Sequence, residues 1–184
     1  MIKTYGYTDN TQLSPHFNAQ EFRCKCGKAH DFQIDDDLIT KLEALYAALN
    51  CSKIIVTSGF RCSAHDKAVK GSGTGQHTRG KAADICCYGQ DGQPIASKTV
   101  CCKAQDTGFT GIANITAAYI YTHIDVRSGK KWYGDEVHGN SSVTDDFYKY
   151  FGSKDMKGID VSVHIGKIDW QKVLAAGIDF AILR

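Results

Sequence analysis

The chain has 184 residues, of which 42% are hydrophobic and 23% charged, and a formal net charge of +2. This size suits one ordinary domain, or one domain with part of another, and it is large enough to bury a core. The basic residues are scattered among acidic ones, which argues against a nucleic-acid partner. No apolar run approaches the roughly 18 residues of a membrane span, and the N-terminal sequence lacks the features of a secretory signal.

Eight cysteines leave the redox compartment open. Two pairs are vicinal, and Cys24 and Cys26 form a Cys-x-Cys pair, whereas structural zinc sites favour Cys-x-x-Cys spacing. The sequence therefore favours buried free thiols, or one or two long-range disulfides, over a four-cysteine zinc site. A cysteine-based redox or metal-storage protein is an alternative that rests on the cysteine count alone.

The N-terminal part of the chain predicts helices around one buried strand. LSPHFNAQEF favours a short helix capped by Ser14, and the following CKCGKAH favours a loop or small hairpin. DDDLITKLEALYAALN has acidic residues at its start and leucines spaced for one apolar face, which is typical of a helix. KIIVT predicts a buried strand that delivers the SGFR run to its end.

The middle of the chain alternates short helices and strands. In order, the pattern predicts a helix in SAHDKAVKG, a glycine-rich loop, a strand in KAADICCY, a helix in SKTVCCKAQ, and strands in GFTGIANI, Tyr119 to Val126 and KKWYG. Along the alternating strand from Tyr119 to Val126, the side chains of Tyr121, His123 and Asp125 share one face.

The C-terminal part differs in composition. Residues 135–156 are rich in Gly, Ser, Asp and Asn with little periodicity, which is typical of a linker. Residues 157–184 then predict a strand, a helix and a second strand, in GIDVSVH, IDWQKVLAAG and IDFAILR. One such unit cannot bury both its helix and its sheet faces, so we expect it to be the beginning of a domain whose remainder is absent.

The densest set of chemically active groups lies between Thr57 and Ile85. His77 and Asp84, with six residues between them, and His123 on a later strand offer the three ligands of a catalytic zinc ion that keeps one position for water. Zinc in such a site acidifies its water and polarises a carbonyl, so amide hydrolysis follows, and Arg61 could clamp a substrate carboxylate. Taken singly, each of these residues is more typical of a surface or capping role.

Three separated segments together carry a family resemblance. SGFRCSAHDKAVKGSGTGQHTRGKAADI resembles the Ser-Gly-Tyr/Phe-Arg, His, glycine-rich loop and His-x6-Asp pattern of the zinc D-alanyl-D-alanine carboxypeptidases, whose relatives include D-alanyl-D-alanine dipeptidases and phage L-alanyl-D-glutamate endopeptidases. LSPHFNAQEFRCKCG and YTHIDVR also resemble that family, so the similarity covers about residues 13–134.

The resemblance implies a small α+β domain over residues 1–134, with an antiparallel sheet core flanked by helices. It implies that His77, Asp84 and His123 bind Zn²⁺ and that Arg61 contacts a peptidoglycan stem peptide. Gln76 could donate to the substrate or merely close the loop. His65 belongs to the motif, and a loop-fixing role is expected for it rather than a catalytic one.

One position departs from the family pattern. Family members usually carry an acidic general base three residues before the last zinc histidine, and here that residue is Ile120, which cannot move a proton. Asp125 is the nearest substitute as a catalytic base, but it could equally orient a ligand or pair with Arg127. A base supplied elsewhere and an impaired zinc site are the other possibilities, and the last of these favours a non-catalytic, zinc-containing wall-binding module.

KGIDVSVHIGKIDWQKVLAAGIDFAILR resembles the opening of family 25 glycoside hydrolases, in which a strand with an aspartate, here Asp160, begins a (β/α) barrel. Lysozyme activity is not expected, because glycoside cleavage needs a second carboxylate from a later strand. A muramidase start joined to a peptidase implies a modular phage or prophage lysin. We expect a monomer without membrane or nucleic-acid partners, which acts on the cell wall from outside or after release from a phage-infected cytoplasm.

Overall fold

The computed structural model describes residues 1–155, 158–161 and 180–183. They form two compact units, Met1–Asp146 and Phe147–Arg184. No helix among these residues has both the length and the apolar character needed to cross a membrane.

The first unit is built around a six-stranded sheet. Its strands are β5 (Lys53–Ser58), β6 (Ala82–Tyr88), β7 (Gly111–Asn114), β8 (Tyr121–Asp125), β9 (Trp132–Asp135) and β10 (Asn140–Thr144). They lie in the order β10-β9-β7-β8-β6-β5, and neighbouring strands are antiparallel except β7 and β9, which are parallel. The α+β architecture expected from the sequence is thus present as a mixed fold with a sheet core and few helices.

Three helices and two small sheets surround this core. The helices are α1 (Asp36–Ala48), α2 (Ser63–Ala68) and α3 (Ser97–Asp106), and the two-stranded sheets pair β1 (Ile2–Tyr5) with β4 (Phe32–Asp35) and β2 (Gln12–Ser14) with β3 (Phe17–Asn18). Helix α3 packs on β7 and β8, where Thr122 and Ile124 are fully buried. Ser97 Oγ and Thr122 Oγ1 are 2.7 Å apart in this layer. His123 therefore projects from the opposite face of β8.

The N-terminal helix prediction was wrong about the start of the helix. LSPHF forms β2, a turn and β3, and a one-turn 3₁₀ helix follows at Ala19–Phe22. Its cap is Asn18 rather than Ser14: Asn18 Oδ1 accepts from Gln20 N at 3.0 Å, and Glu21 Oε2 accepts from Asn18 N at 2.7 Å. This reciprocal capping box outweighs the Ser-Pro signal, because it satisfies two end donors at once.

The remaining element predictions of this unit were largely confirmed. Helix α1 begins after Asp35, whose side chain accepts from Asp37 N at 3.1 Å, and it buries Leu38, Leu42 and Leu45. Ile39 completes the buried face, whereas Leu49, the last leucine of the predicted pattern, is half-buried.

The prediction of a linker over residues 135–156 was wrong. A 3₁₀ turn at Glu136–His138 leads into β10, which pairs with β9 as an edge strand of the main sheet, and α4 (Phe147–Asp155) follows. The register between β9 and β10 is irregular, and a short bulged edge strand carries no clean alternation that a sequence pattern could detect.

In the second unit, both predicted strands are present as β11 (Gly158–Val161) and β12 (Phe180–Leu183), and they pair in parallel. The helix predicted in IDWQKVLAAG lies outside the described residues. Parallel neighbouring strands with a crossover connection occur in many α/β folds, so this pairing does not distinguish a barrel from other folds.

Candidate metal centre

Three elements place the predicted metal ligands. His77 opens a 3₁₀ turn at His77–Arg79 after the glycine-rich loop, Asp84 lies on β6 and His123 on β8. Asp84 and His123 are direct cross-strand partners in the antiparallel β6–β8 ladder, which brings their side chains together on one face of the sheet. The sequence thus predicted both the elements and the shared location.

The ligand atoms converge closely. His123 Nδ1 lies 2.9 Å from Asp84 Oδ1, His77 Nε2 lies 3.2 Å from the same oxygen, and the two ring nitrogens are 3.2 Å apart. Separations of this order are those between ligands of one tetrahedral zinc ion, because Zn–N and Zn–O distances are about 2.0–2.2 Å. The three side chains can therefore share an ion.

The second nitrogen of each imidazole fixes which nitrogen faces the centre. His77 Nδ1 donates to the carbonyl oxygen of Gly59 at 2.7 Å, and His123 Nε2 donates to Asp125 Oδ2 at 3.1 Å. A carbonyl and a carboxylate can only accept, so the neutral rings direct the lone pairs of His77 Nε2 and His123 Nδ1 at Asp84. Three acceptors that face one another need a positive charge between them, which either a proton on His123 or a metal ion supplies, and these residues therefore fit a metal ion.

The electrostatics of the centre agree with this requirement. Burial disfavours a charged imidazole, but hydrogen bonds to Asp125 and Asp84 outweigh it and raise the pKa of His123 to about 9. Burial likewise opposes the charge on Asp84, yet its hydrogen bonds to His123 and His77 hold the pKa of this carboxyl far below its usual range. The centre thus attracts positive charge.

Arg61 lies beside the centre, where its guanidinium binds two aspartates. Its Nη2 donates to Asp84 Oδ2 in a short hydrogen bond, and its Nη1 donates to Asp66 Oδ1 at 3.4 Å. Its Nε donates to Ser58 Oγ at 2.8 Å. Arg61 therefore holds the outer oxygen of Asp84 while Oδ1 faces the histidines. These contacts use three of its five N–H donors.

Asp66 supports Arg61, although its role could not be read from the sequence. It is buried, and Oδ2 accepts from Gly73 N at 2.8 Å, so it joins Arg61 to the glycine-rich loop. A Cβ on Gly71 would lie 2.3 Å from this carboxylate, which explains why a glycine stands there. Its only sequence signal was its position one residue after His65 in the motif.

The base role that the sequence allowed for Asp125 does not fit its surroundings. The residue is fully buried and bonds the far nitrogen of His123, away from the metal-facing side. Its oxygens also accept from the backbone N and the Nε and Nη2 of Arg127. These hydrogen bonds lower the pKa of Asp125 against the opposing effect of burial. Asp125 therefore orients the ligand His123 and pairs with Arg127, which are the two alternative roles that the sequence left open for it.

A cleft of about 720 Å³ opens onto the ligands and is lined, among others, by Arg61, Gln76, Arg127, Trp132 and Glu136. The backbone oxygen of Gln76 accepts from Arg79 N and Lys81 N and closes the turn, while the residue also contributes to the cleft wall. Glu136 is exposed and was not identified from the sequence, because it lay in the stretch assigned to a linker.

A mixed fold with a His₂Asp centre at the base of an open cleft is the arrangement of a metal-dependent hydrolase. The comparisons with known proteins narrow this class. A family model described as Peptidase M15 matches residues 15–125, which is more than half of the chain. The chain belongs to peptidase family M15, whose members are typically zinc-dependent metallopeptidases. No curated protein matches the chain.

Proposed function

We propose that the protein is a zinc-dependent peptidase that hydrolyses amide bonds in peptidoglycan stem peptides, as a D,D-carboxypeptidase or a lysin-type endopeptidase. The observation that carries this proposal is the convergence of His77 Nε2, His123 Nδ1 and Asp84 Oδ1 at 2.9–3.2 Å, with both imidazoles locked from behind by acceptors. Membership of the M15 family supports the peptidase chemistry and the class of substrate.

His77, Asp84 and His123 would hold the zinc ion. When bound, zinc supplies an acidified water molecule and a Lewis acid for the amide carbonyl. The protein must then provide a group that accepts the proton of the water and returns it to the departing amine.

Glu136 is the residue we assign to this proton transfer. The carboxylates in the cleft wall are Asp66, Asp84 and Glu136. Asp66 is buried and bonded to Arg61 and Gly73, and Asp84 faces the two histidines, so neither is free to exchange protons. Within the described part of the cleft wall, Glu136 is the carboxylate that is neither a metal ligand nor held by the hydrogen bonds described for Asp66. This assignment replaces the acidic residue that the family pattern places where Ile120 stands here.

Substrate binding falls to the donors that line the cleft. We assign Arg61 and Gln76 to the substrate, with the two remaining N–H groups of Arg61 available to a stem-peptide carboxylate. Because Arg61 also holds Asp84, loss of its side chain would disturb metal binding and substrate binding together.

The test offers purified, zinc-loaded protein synthetic stem peptides and identifies the products by mass spectrometry. The proposal expects a cleaved amide bond, and a Glu136→Gln variant should keep its zinc while kcat falls about 10²–10⁴-fold, the usual contribution of a general base. An Asp145→Asn variant, also exposed, serves as the matched control and should retain activity. Intact peptides, with zinc bound at His77, would refute the peptidase.

That refuting outcome would instead support the second candidate, a non-catalytic zinc-containing module that binds the cell wall. The observation that favours it is Ile120, whose half-buried apolar side chain stands at the position of the family base. Sedimentation with insoluble peptidoglycan would reveal such binding, and it should persist in Glu136→Gln.

We further propose that this peptidase works as a monomer in a modular phage-type lysin, at the cell wall. The support is the resemblance of residues 157–184 to the opening of family 25 glycoside hydrolases. Digestion of intact cell walls should then release free amino groups, because the proposed reaction cleaves amide bonds. A digest without new amino groups would contradict this assignment.

A further inference from the structure

We propose that the protein holds a second metal, a structural zinc ion, in a cluster that shares no residue with the metal centre and serves no step of the proposed reaction. This cysteine cluster consists of Cys24, Cys26, His30 and Cys62. Three thiolates and one imidazole form one of the usual donor sets of a closed structural zinc site.

The geometry brings the four donors to one point from two distant segments. Cys24, Cys26 and His30 come from the loop after the 3₁₀ helix Ala19–Phe22, and Cys62 directly precedes α2. One ligand atom from each lies within 4.8 Å of all the others, and His30 Nε2 is 3.2 Å from Cys26 Sγ. Sulfur ligands of a tetrahedral zinc ion are about 3.8 Å apart, so a shift of about 1 Å completes the site.

His30 is already in the tautomer that a metal requires. Its Nδ1 lies 2.8 Å from the carbonyl oxygen of Asp31, which can only accept, so Nδ1 carries the proton. The lone pair of Nε2 then points at the cysteine cluster. Metal-binding histidines regularly donate their outer N–H to a carbonyl in this way.

Backbone amides face the sulfur atoms from outside the cluster. Cys62 N donates to Cys24 Sγ at 3.3 Å, and Lys28 N donates to Cys26 Sγ at 3.4 Å. Gly27 has a φ of +79°, a conformation that glycine adopts without strain, and it thereby permits the tight turn that aims the Lys28 amide at the sulfur. Such donors favour thiolates over thiols, as metal binding requires.

The motif residue His65 contacts the cysteine cluster. It lies on α2, and its Nδ1 is 3.4 Å from Cys24 Sγ, so it supports this sulfur from outside the cluster.

The Cys-x-x-Cys spacing rule does not detect this site, because the turn here is Cys-x-Cys-Gly and the fourth ligand is a histidine. A disulfide would use two of the sulfurs and leave the third cysteine facing the lone pair of His30 without a cation.

A zinc ion in the cysteine cluster would fix the position of the backbone run next to the metal centre. Cys62 directly follows Arg61, which holds Asp84, and the same run contains Gly59, whose carbonyl fixes His77. Zinc in the cysteine cluster would tie this run to the loop at Cys24 and Cys26. This second zinc ion would therefore affect catalysis only by positioning the residues that contact His77 and Asp84.

The decisive measurement is the zinc content of protein purified under reducing conditions without chelator, by elemental analysis and native mass spectrometry. Wild type should carry two zinc ions per chain, and His77→Ala, Cys26→Ser and His30→Ala one each. The His77→Ala/Cys26→Ser double variant should carry none. Cys102→Ser, whose thiol is half-buried on α3 outside both clusters, is the matched control and should carry two.

Cobalt substitution separates the two sites by their ligands. Sulfur-to-cobalt charge-transfer absorption should persist in His77→Ala and disappear in Cys26→Ser, because only the cysteine cluster has thiolates. Should Cys26→Ser fail to fold, chelation of His77→Ala decides the point: it should lower Tm if the remaining zinc is structural.

One zinc ion in wild type and none in His77→Ala would overturn the proposal while leaving the peptidase intact. A disulfide between any two of the three cysteines, found by peptide mapping of non-reduced protein, would overturn it as well. Conversely, two zinc ions in a protein that cleaves no stem peptide would support the structural site and refute only the proposed function.

Discussion

Asp125→Asn separates the two roles that a carboxylate next to His123 can have. Asp125 is fully buried and accepts from His123 Nε2 and from Arg127. Asparagine keeps the shape, but it has only one acceptor oxygen. If that oxygen faces His123, the amide N–H groups face the Arg127 guanidinium, and the reverse orientation places two donors against each other at His123.

The expected effect is on metal affinity rather than on the chemical step. Loss of the outer partner of a metal-binding histidine weakens metal binding about 10–100-fold, or about 1.4–2.8 kcal/mol. We expect the upper part of this range, because both orientations of asparagine leave one donor–donor contact. Turnover by the zinc-saturated variant should stay within about tenfold of wild type.

Competition with a chromophoric chelator measures the zinc dissociation constant, and stem-peptide turnover is then measured at saturating zinc. Asp37→Asn is the matched control: Asp37 is exposed on α1 and pairs with Lys41 at 3.0 Å, so its loss should leave zinc affinity unchanged. An Asp125→Asn variant with wild-type zinc affinity and no turnover would refute the orienting role and restore the base role.

Two further substitutions test the packing behind the centre and the N-terminal cap. A Cβ on Gly111 would lie 2.0 Å from Asp125 Oδ2, so Gly111→Ala should cost about 1–3 kcal/mol of stability in a denaturant titration and weaken zinc binding. Gly6→Ala, whose Cβ would meet nothing within 4 Å, should leave both within error, and equal effects of the two variants would contradict the packing argument. Asn18→Ala should lower stability by about 1 kcal/mol through loss of the cap, whereas Ser14→Ala should not, and the opposite order would favour the cap predicted from the sequence.

The sequence predicted most of the secondary structure around the centre because the signals there were local. The apolar run of β5, the alternation of β8 and the glycine-rich loop are short-range patterns, and the two-residue period placed Tyr121, His123 and Asp125 on one face. The cross-strand pairing of Asp84 with His123 then followed from the sheet register, which a sequence pattern does not contain.

What the sequence could not predict depends on contacts between distant residues. Asp66 contacts Arg61 and Gly73, and Glu136 lines the cleft wall, and neither placement leaves a periodic signal in the sequence. The cysteine cluster is similar, because Cys62 lies 36 residues after Cys26 and His30 was not counted among the possible ligands. In each case the sequence shows the chemical type of the residue, but it does not show which residues lie beside it in the folded chain.

The run from Gly59 to Cys62 shows why a substitution outside the ligands can impair this centre. Gly59 orients His77 through its carbonyl, Arg61 holds Asp84 through its guanidinium, and Arg61 N also donates to His77 O at 3.2 Å. Phe60 N donates to Phe22 O at 2.7 Å, and a Cβ on Gly59 would lie 2.5 Å from Phe22 Cα. Because this run is pressed against the N-terminal 3₁₀ helix, a displacement of that helix would move a ligand's hydrogen-bond partner and the Arg61 guanidinium together. The geometry of the metal centre therefore depends on the packing of residues 19–22, which contribute no metal ligand.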